Sequence, residues 1–503
     1  MNTTIGTSGA SALREPIVEK TLLASFPAEV HVSADIVASS VAQTGRVLIV
    51  LDDDPTGTQS VAGLPVLTGW QIEDFHWAFS LDAPAIYVLT NTRSLDPIEA
   101  ATRNSEIVTN ALAAAGLTPI AFVSRGDSTL RGHFPLEPDV IADTLLAVSS
   151  VDTDGVVIVP AFPDAGRVTI GGVHYMREKL GELTPIAETE FARDSTFAFT
   201  ESRLSNYVQE KSKGRIPAES VIEVDLRILR AGATAIADAL DAATMRRVIV
   251  IDAVNENDLR LLALGLEEAE RRGKRFVYRA GPPFVRARIG QTPKTPLTAT
   301  EAFGDTVPRL GGGLIVVGSH VAMTTRQLAV LRAGHPGARV VEIDISELLS
   351  PEGTSHLDSV VAKVGRALVD ADVIVQTSRI LVSTSSPAES LDIARTVSAA
   401  VVDVVQRVIA RAHPRFVIAK GGITSSDVAS HGLQIRRAVV RGPMLPGIVS
   451  LWAPVDGPAA GIPYVIFAGN VGSDDSLLQV VRLLSRYDAT RGPLASSTGR
   501  VQQ

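Results

Sequence analysis

Three loops in the first half of this chain collect side chains suited to small polar anions and sugar hydroxyls. They are Leu51-Asp-Asp-Asp-Pro-Thr-Gly-Thr-Gln59, Thr90-Asn-Thr-Arg-Ser94 and Ser124-Arg-Gly-Asp-Ser-Thr-Leu-Arg-Gly132. Arg93, Arg125 and Arg131 offer forked donors that match a carboxylate, while Asp53, Asp54 and Asp127 suit hydroxyls. Three successive aspartates repel one another, so the fold must set donors, a cation or a substrate hydroxyl beside them. A plainer reading exists for each loop taken alone. Asp, Pro, Thr and Gly are common in turns and helix caps, and Arg125 on its own is better explained by pairing with a nearby aspartate. Three such loops at one sheet edge are harder to explain that way. Pro160-Ala-Phe-Pro-Asp-Ala-Gly166 and Asp252-Ala-Val-Asn255 extend the edge.

The second half repeats a different pattern, a strand entering a Gly/Ser turn that opens a helix. It occurs at Val317-Gly-Ser-His320, at Lys420-Gly-Gly-Ile-Thr-Ser-Ser-Asp427 and at Ala468-Gly-Asn-Val-Gly472. Glycines let backbone N–H groups approach an oxyanion, and a helix N-terminus favours negative charge, so these turns have the makings of a phosphate cradle. Small residues at such turns are also routine packing, and the loop from Lys420 is the strongest because it combines a lysine, two glycines and three hydroxyls. No Gly-x-x-x-x-Gly-Lys-Ser/Thr loop and no strand-placed Gly-x-Gly-x-x-Gly is present, so nucleotide binding would use another loop design. His133 and His174 lack metal-site spacing and read as structural. Ser319 and His320 point to opposite faces if extended, which argues against a nucleophile and base pair. Trp70, Trp77 and Trp452 read as packing residues.

The elements that must position these loops follow from the apolar rhythm. Short Val/Ile runs alternate with longer Ala/Leu-rich segments, the βαβ pattern of a mostly parallel sheet covered by helices. The runs are 47–51, 85–89, 119–123, 156–159, 248–251 and 275–278 in the first half, and 314–317, 340–343, 373–376, 416–419 and 464–467 in the second. The fold class is therefore α/β, with two α/β domains and ligand loops at strand ends. Residues 1–45 form an N-terminal tail or strap with a short helix near Glu19 to Ser25. A first domain spans 46–290, a Pro/Gly-rich linker 291–312, a second domain 313–488 and a polar tail 489–503. With 503 residues and 45% hydrophobic content the chain can bury a sizeable core. Its net charge of −8 argues against a general nucleic-acid binder. The absence of cysteine excludes disulfides and thiolate chemistry and fits a reducing compartment. No run reaches membrane-span length and no signal-peptide order is present, so a cytoplasmic location is expected.

Five motifs then fall in one order: Val50-Leu-Asp-Asp-Asp-Pro-Thr-Gly57, Asn91-Thr-Arg-Ser94, Asp127-Ser-Thr-Leu-Arg-Gly132, Lys420-Gly-Gly-Ile-Thr-Ser425 and Gly469-Asn-Val-Gly472. In order and spacing, over residues 46 to 485, they resemble the motifs of the four-carbon acid sugar kinase family. The resemblance implies an N-terminal sugar-acid-binding domain and a C-terminal nucleotide-binding domain. It implies ATP-dependent phosphorylation of a threonate, erythronate or 3-oxo-tetronate type acid at its terminal hydroxyl. Asp53, Asp54, Thr56, Gly57, Arg93, Asp127, Ser128 and Arg131 would line the acid site, with Asp53 or Asp127 as the catalytic base. Ser319, Gly421, Gly422, Ile423, Thr424 and Gly469 would meet ATP, with Lys420 and Asn470 beside them and Mg2+ bridging the phosphates. The domains would close on substrate to exclude water. Partners would be the sugar acid and ATP, with no nucleic acid and no membrane, and a homodimer is left open. Pro55 stands where an aromatic is common in the family, and Gln59 and Ser60 replace a Thr-Asp pair, departures that bear on the substrate. Two other readings stay open: a metal-dependent sugar-acid isomerase or lyase, and a non-catalytic sensor of acid sugar and nucleotide.

Overall fold

Runs such as Val47–Asp52 and Gly155–Val159 are apolar at nearly every position, so both faces of the strand need cover. In the computed structural model, which describes residues 17–304, 311–378 and 387–485, that cover is present. Leu48 and Val50 enter one core, while Ile49 and Leu51 enter another with Phe75, Ile107 and Ile141 from the helices Ile72–Phe79, Pro97–Ala115 and Leu136–Ser149. The expected tail 489–503 and part of the linker lie outside the described residues.

All eleven expected strands are present within a residue or two of their expected ends, in one 15-stranded sheet. Its first eight strands are mutually parallel and run in the order Ile222–Val224, Arg247–Ile251, Gly155–Val159, Phe276–Ala280, Ile120–Arg125, Val47–Asp52, Ala85–Leu89, Pro65–Leu67. The remaining seven are Arg437–Leu445, Ile448–Pro454, Tyr464–Phe467, Val417–Lys420, Leu314–Val317, Val373–Thr377 and Arg339–Ile343. The last five of these are parallel to one another. The hairpin Arg437–Leu445/Ile448–Pro454 is antiparallel and welds the halves, pairing Arg437, Ala438 and Val439 with Leu67, Val66 and Pro65.

This weld changes the picture of two bodies on a linker. Asp74, fully buried in the first half, binds Arg436 at 2.6 Å and Arg437 at 2.9 Å from the second. Trp452 Nε1 donates to Thr58 Oγ1 at 2.9 Å. Closure about the linker alone is thus opposed by a β-ladder and by buried polar contacts, and any closure must bend at the hairpin. The linker itself contains the helix Ala299–Phe303, opened by a capping box between Thr298 and Glu301.

A second, four-stranded antiparallel sheet, Ile17–Val18, Glu182–Pro185, Val173–Arg177 and Arg167–Ile170, lies beside the first half. Ile17–Val18 joins it, and the helix Ala34–Thr44 packs so closely on the first half that a Cβ on Gly290 would meet Ala38 N at 2.2 Å.

Candidate active site

Parallel strands deliver their following loops to one edge, and the first three candidate loops leave the adjacent strands Val47–Asp52, Ala85–Leu89 and Ile120–Arg125. The aspartate run is divided by the pleat and by the 3-10 turn Pro55–Ser60, whose cap is Asp54. Asp52 ends the strand and pairs with Arg125. A Cβ on Gly57 would fall 2.2 Å from Asp52 Oδ2 and 2.5 Å from Arg125 Nε, so only glycine lets this turn lie against the pair. Burial pushes the Asp52 carboxyl up to about 7 against the pull of Arg125.

Asp53 takes a two-pronged bond from Arg93, at 2.6 and 3.1 Å, and is 1% exposed. Arg93 also reaches Asp54 at 3.4 Å and Asp127 at 3.9 Å. Asp54 accepts from Thr56 N at 2.9 Å and from Thr56 Oγ1. Asp127 binds Arg131 at 2.6 Å and Thr129 N at 3.0 Å. Burial raises the Asp127 carboxyl, but Arg93, Arg131 and Thr129 outweigh it and hold the group well below the usual carboxylate range. The same balance, with Arg93, Arg125 and Thr56 prevailing over burial, lowers Asp54. The structure therefore gathers Asp53, Asp54, Thr56, Arg93, Asp127 and Arg131 into one network. Ser128 is buried in the same turn, where its carbonyl accepts from His174 Nε2 at 2.8 Å.

Behind these loops lies a buried network that sequence reasoning missed. Arg279, at the end of Phe276–Ala280, pairs with Glu137 and donates to Ser124 Oγ at 2.7 Å. Glu137 accepts from Thr92 Oγ1, in the turn that carries Arg93. Gly126 and Gly132 lie on the Arg279 guanidinium, where added Cβ atoms would come within 2.4 and 2.6 Å. One guanidinium thus backs both the Arg93 turn and the Asp127 loop. The available signal was an arginine ending an otherwise apolar central strand.

In the second half, four expected residues converge. A Cβ on Gly318 would meet Thr424 Oγ1 at 2.2 Å, one on Gly421 would meet Ser319 Cβ at 3.1 Å, and one on Gly469 would meet Ser319 Oγ at 2.7 Å. Thr324 Oγ1 ties this cluster by donating to Gly469 O at 2.9 Å. Gly422 and Ile423 begin the helix Gly422–Asp427, and Asn470 is exposed at the rim beside Gly469. Lys420 differs from its neighbours. Its side chain is buried, with Nζ donating to Ala468 O at 2.6 Å and lying 3.9 Å above the Phe467 ring. Burial pushes its ammonium down to about 7.

The two clusters touch. Asp54 Oδ2 lies 3.5 Å from where a Cβ on Gly422 would stand, so the acidic turn of the first half abuts the Gly/Ser turn of the second. His133 serves structure as expected, with Nε2 at 3.1 and 3.0 Å from the carbonyls of Thr92 and Leu95. His320 Nε2 lies 3.0 Å from Thr377 Oγ1.

Comparison with known proteins adds independent information. A family model described as a sugar-binding N-terminal domain matches residues 48–288, and one described as a nucleotide-binding C-terminal domain matches 314–477. A D-erythronate kinase of Heliobacterium modesticaldum is 29% identical over 60% of this chain and 64% of its own length. A D-threonate kinase of Salmonella typhimurium is 31% identical over 50% of this chain and 53% of its own length. The chain therefore spans less than two thirds of each of these relatives. A solved structure from Salmonella typhimurium LT2, provisionally labelled a tRNA synthase, has a TM-score of 0.60 at 22% identity, covering 86% of this chain and 98% of its own. That likeness shows a shared fold. Among the described residues no helix is long and apolar enough to cross a membrane.

Proposed function

We propose, for a chain that belongs to the four-carbon acid sugar kinase family, that it transfers the γ-phosphoryl group of ATP to the terminal hydroxyl of a four-carbon sugar acid. Threonate, erythronate and 3-oxo-tetronate are the substrate class. The observation that carries this reading is the 3.5 Å approach of Asp54 to the Gly422 position. It supports an acid site in residues 46–290 that opens directly onto a nucleotide site in residues 313–488.

Phosphoryl transfer asks the protein for positioning and charge neutralisation more than for covalent chemistry. Of the two carboxylates that could accept the hydroxyl proton, Asp53 is committed to Arg93 and its side chain is 2% exposed, whereas that of Asp127 is 12% exposed. We assign the hydroxyl contact to Asp127. Held low by its arginines, it stays ionised at neutral pH, orients the hydroxyl and takes its proton as the phosphoester bond forms. Thr56, Ser128 and Arg131 stand beside it, and Gly57 fixes the turn. On the nucleotide side, Ser319, Gly421, Gly422, Ile423, Thr424, Gly469 and Asn470 frame the phosphate path. Lys420 adds positive potential from behind that frame, since its buried ammonium has a carbonyl and a ring as partners and gains most from a nearby anion.

Mg2+ fits this arrangement without a protein cage. Among the described residues no cluster of three or more metal-ligating side chains occurs, and Mg2+ with ATP needs only one or two carboxylates besides phosphates and water. Asp54, facing Gly422, would be the carboxylate to hold it. Bound there, the ion would neutralise charge on the phosphates.

The test is ADP release by the purified protein with Mg-ATP and each stereoisomer of the four-carbon acids, beside an Asp127→Ala variant. Turnover with one acid, lost in the variant, is the expected result. ATP binding with silence across the panel would refute the substrate class.

A further inference from the structure

The charge balance of the acid site points to an anchor outside the recognised motifs. Arg93, Arg125 and Arg131 suit a carboxylate by type, yet each is already engaged by an aspartate of the protein. Asp52, Asp53, Asp54 and Asp127 outnumber them. With all three guanidinium groups engaged and Asp52 itself pushed up to about 7, the network holds no surplus of positive charge for an incoming anion, so a cation without such a partner is better placed to take the carboxylate of the acid.

Arg167 meets the requirement. It opens the strand Arg167–Ile170 of the small sheet, one residue beyond the Pro160–Gly166 loop. Among the described residues no carboxylate lies within 4.0 Å of its guanidinium, and its buried Nε has no hydrogen-bond partner. Arg167 and Arg131 cover the same Phe191 ring, with their Cζ atoms 5.7 and 5.3 Å from its centroid. Arg131 in turn binds Asp127 at 2.6 Å. Arg167 is therefore held beside the Asp127–Arg131 pair. Burial pushes its guanidinium down, while the Asp127 carboxylate pulls it up. A stacked, desolvated guanidinium with no carboxylate within ion-pair distance is poorly satisfied and suited by type to take a planar carboxylate through its fork.

We propose that Arg167 binds the carboxylate of the sugar acid and sets the preference for an acid over the corresponding polyol. The inference rests on the kinase reading above, which assigns Asp127 the far hydroxyl. The carboxylate and the reacting hydroxyl of a four-carbon acid would then be fixed at opposite ends of the molecule. The Glu190–Arg193 turn that carries Phe191 becomes part of the specificity wall.

The test is steady-state kinetics of Arg167→Gln and Arg167→Lys in the full chain, with Mg-ATP and either the acid or the tetritol that lacks its carboxylate. Loss of a charge-assisted fork is expected to raise KM for the acid about 10- to 100-fold in R167Q. KM for ATP and the rate with tetritol stay unchanged. Lysine restores part of the loss, as a charge without the fork. An unchanged KM for the acid in R167Q, or acid and tetritol worsening together, would overturn the inference. If R167Q does not fold, R167K decides: a raised KM for the acid alone supports the assignment, and an unchanged one overturns it. A wild-type protein that phosphorylates none of the acids would refute the kinase reading separately. Calorimetric binding of threonate and erythronate then decides for Arg167. Binding lost in R167Q supports the assignment, and binding retained there, or absent from the wild type, overturns it.

Discussion

Acid should loosen the Asp127 loop through His174. This histidine is fully buried, its Nε2 donates to Ser128 O at 2.8 Å, and its Nδ1 accepts from Thr169 Oγ1 at 2.9 Å. The Nδ1 bond requires the neutral ring, and burial, outweighing the Ser128 bond that favours the charged form, lowers its pKa from 6.5 to about 4. A base with a depressed folded pKa contributes stability that is present above 6.5 and is lost as pH falls toward 4. A fall from 6.5 to about 4 corresponds to about 3 kcal/mol across that window. Asp52 and Asp252 act in the opposite sense: burial raises both to about 7, so their contribution grows as pH falls from 7 toward 3.8. The informative quantity is therefore the difference between wild type and His174→Gln, which keeps a donor for Ser128 O and does not titrate. Guanidinium unfolding at a series of pH values from 7.5 to 4 should show the wild type losing about 3 kcal/mol relative to the variant. A constant difference would mean that His174 is not held neutral and that the loop is pinned by other means.

Three substitutions probe the rest of the arrangement. Arg279→Met leaves Glu137 buried without its cation; a loss of about 3–5 kcal/mol in chemical unfolding is expected, and a loss below 1 would refute its role behind the loops. Lys420→Met removes a desolvated ammonium; it should raise stability at pH 7 by about 1–4 kcal/mol while weakening ATP binding, and a destabilised variant would contradict that assignment. Asp74→Ala strips Arg436 and Arg437 of their shared partner at the weld between halves, and limited proteolysis of the 436–454 hairpin should accelerate. Unchanged cleavage would show that the β-ladder alone holds the seam.

Much of the fold was legible because buried parallel strands announce themselves as short Val/Ile runs. The welding hairpin was not, since Arg441-Gly442-Pro443 and Pro446-Gly447 read as breakers. In the fold they supply a register shift at 440–442 and the turn between the hairpin strands. The linker helix had its signal in Thr298 and Glu301, outweighed by the surrounding prolines and glycines. At the site, residue types named the acid loops correctly as neighbours on one edge. Spacing along the chain says nothing of which cation pairs with which anion, so Arg93 and Arg131 looked available when each is engaged, whereas Arg125 pairs with an aspartate, Asp52, as its loop suggested. Arg279, Glu137 and Arg167 act from other strands and helices, and only the folded sheet brings them behind and beside the motifs.

The most direct test of the central claim is phosphorus NMR of the full chain incubated with Mg-ATP and the acid that gives the fastest ADP release. The account predicts loss of the γ-phosphate signal matched by a phosphomonoester coupled to the terminal methylene protons. Inorganic phosphate alone, or conversion of the acid without consumption of ATP, would contradict it.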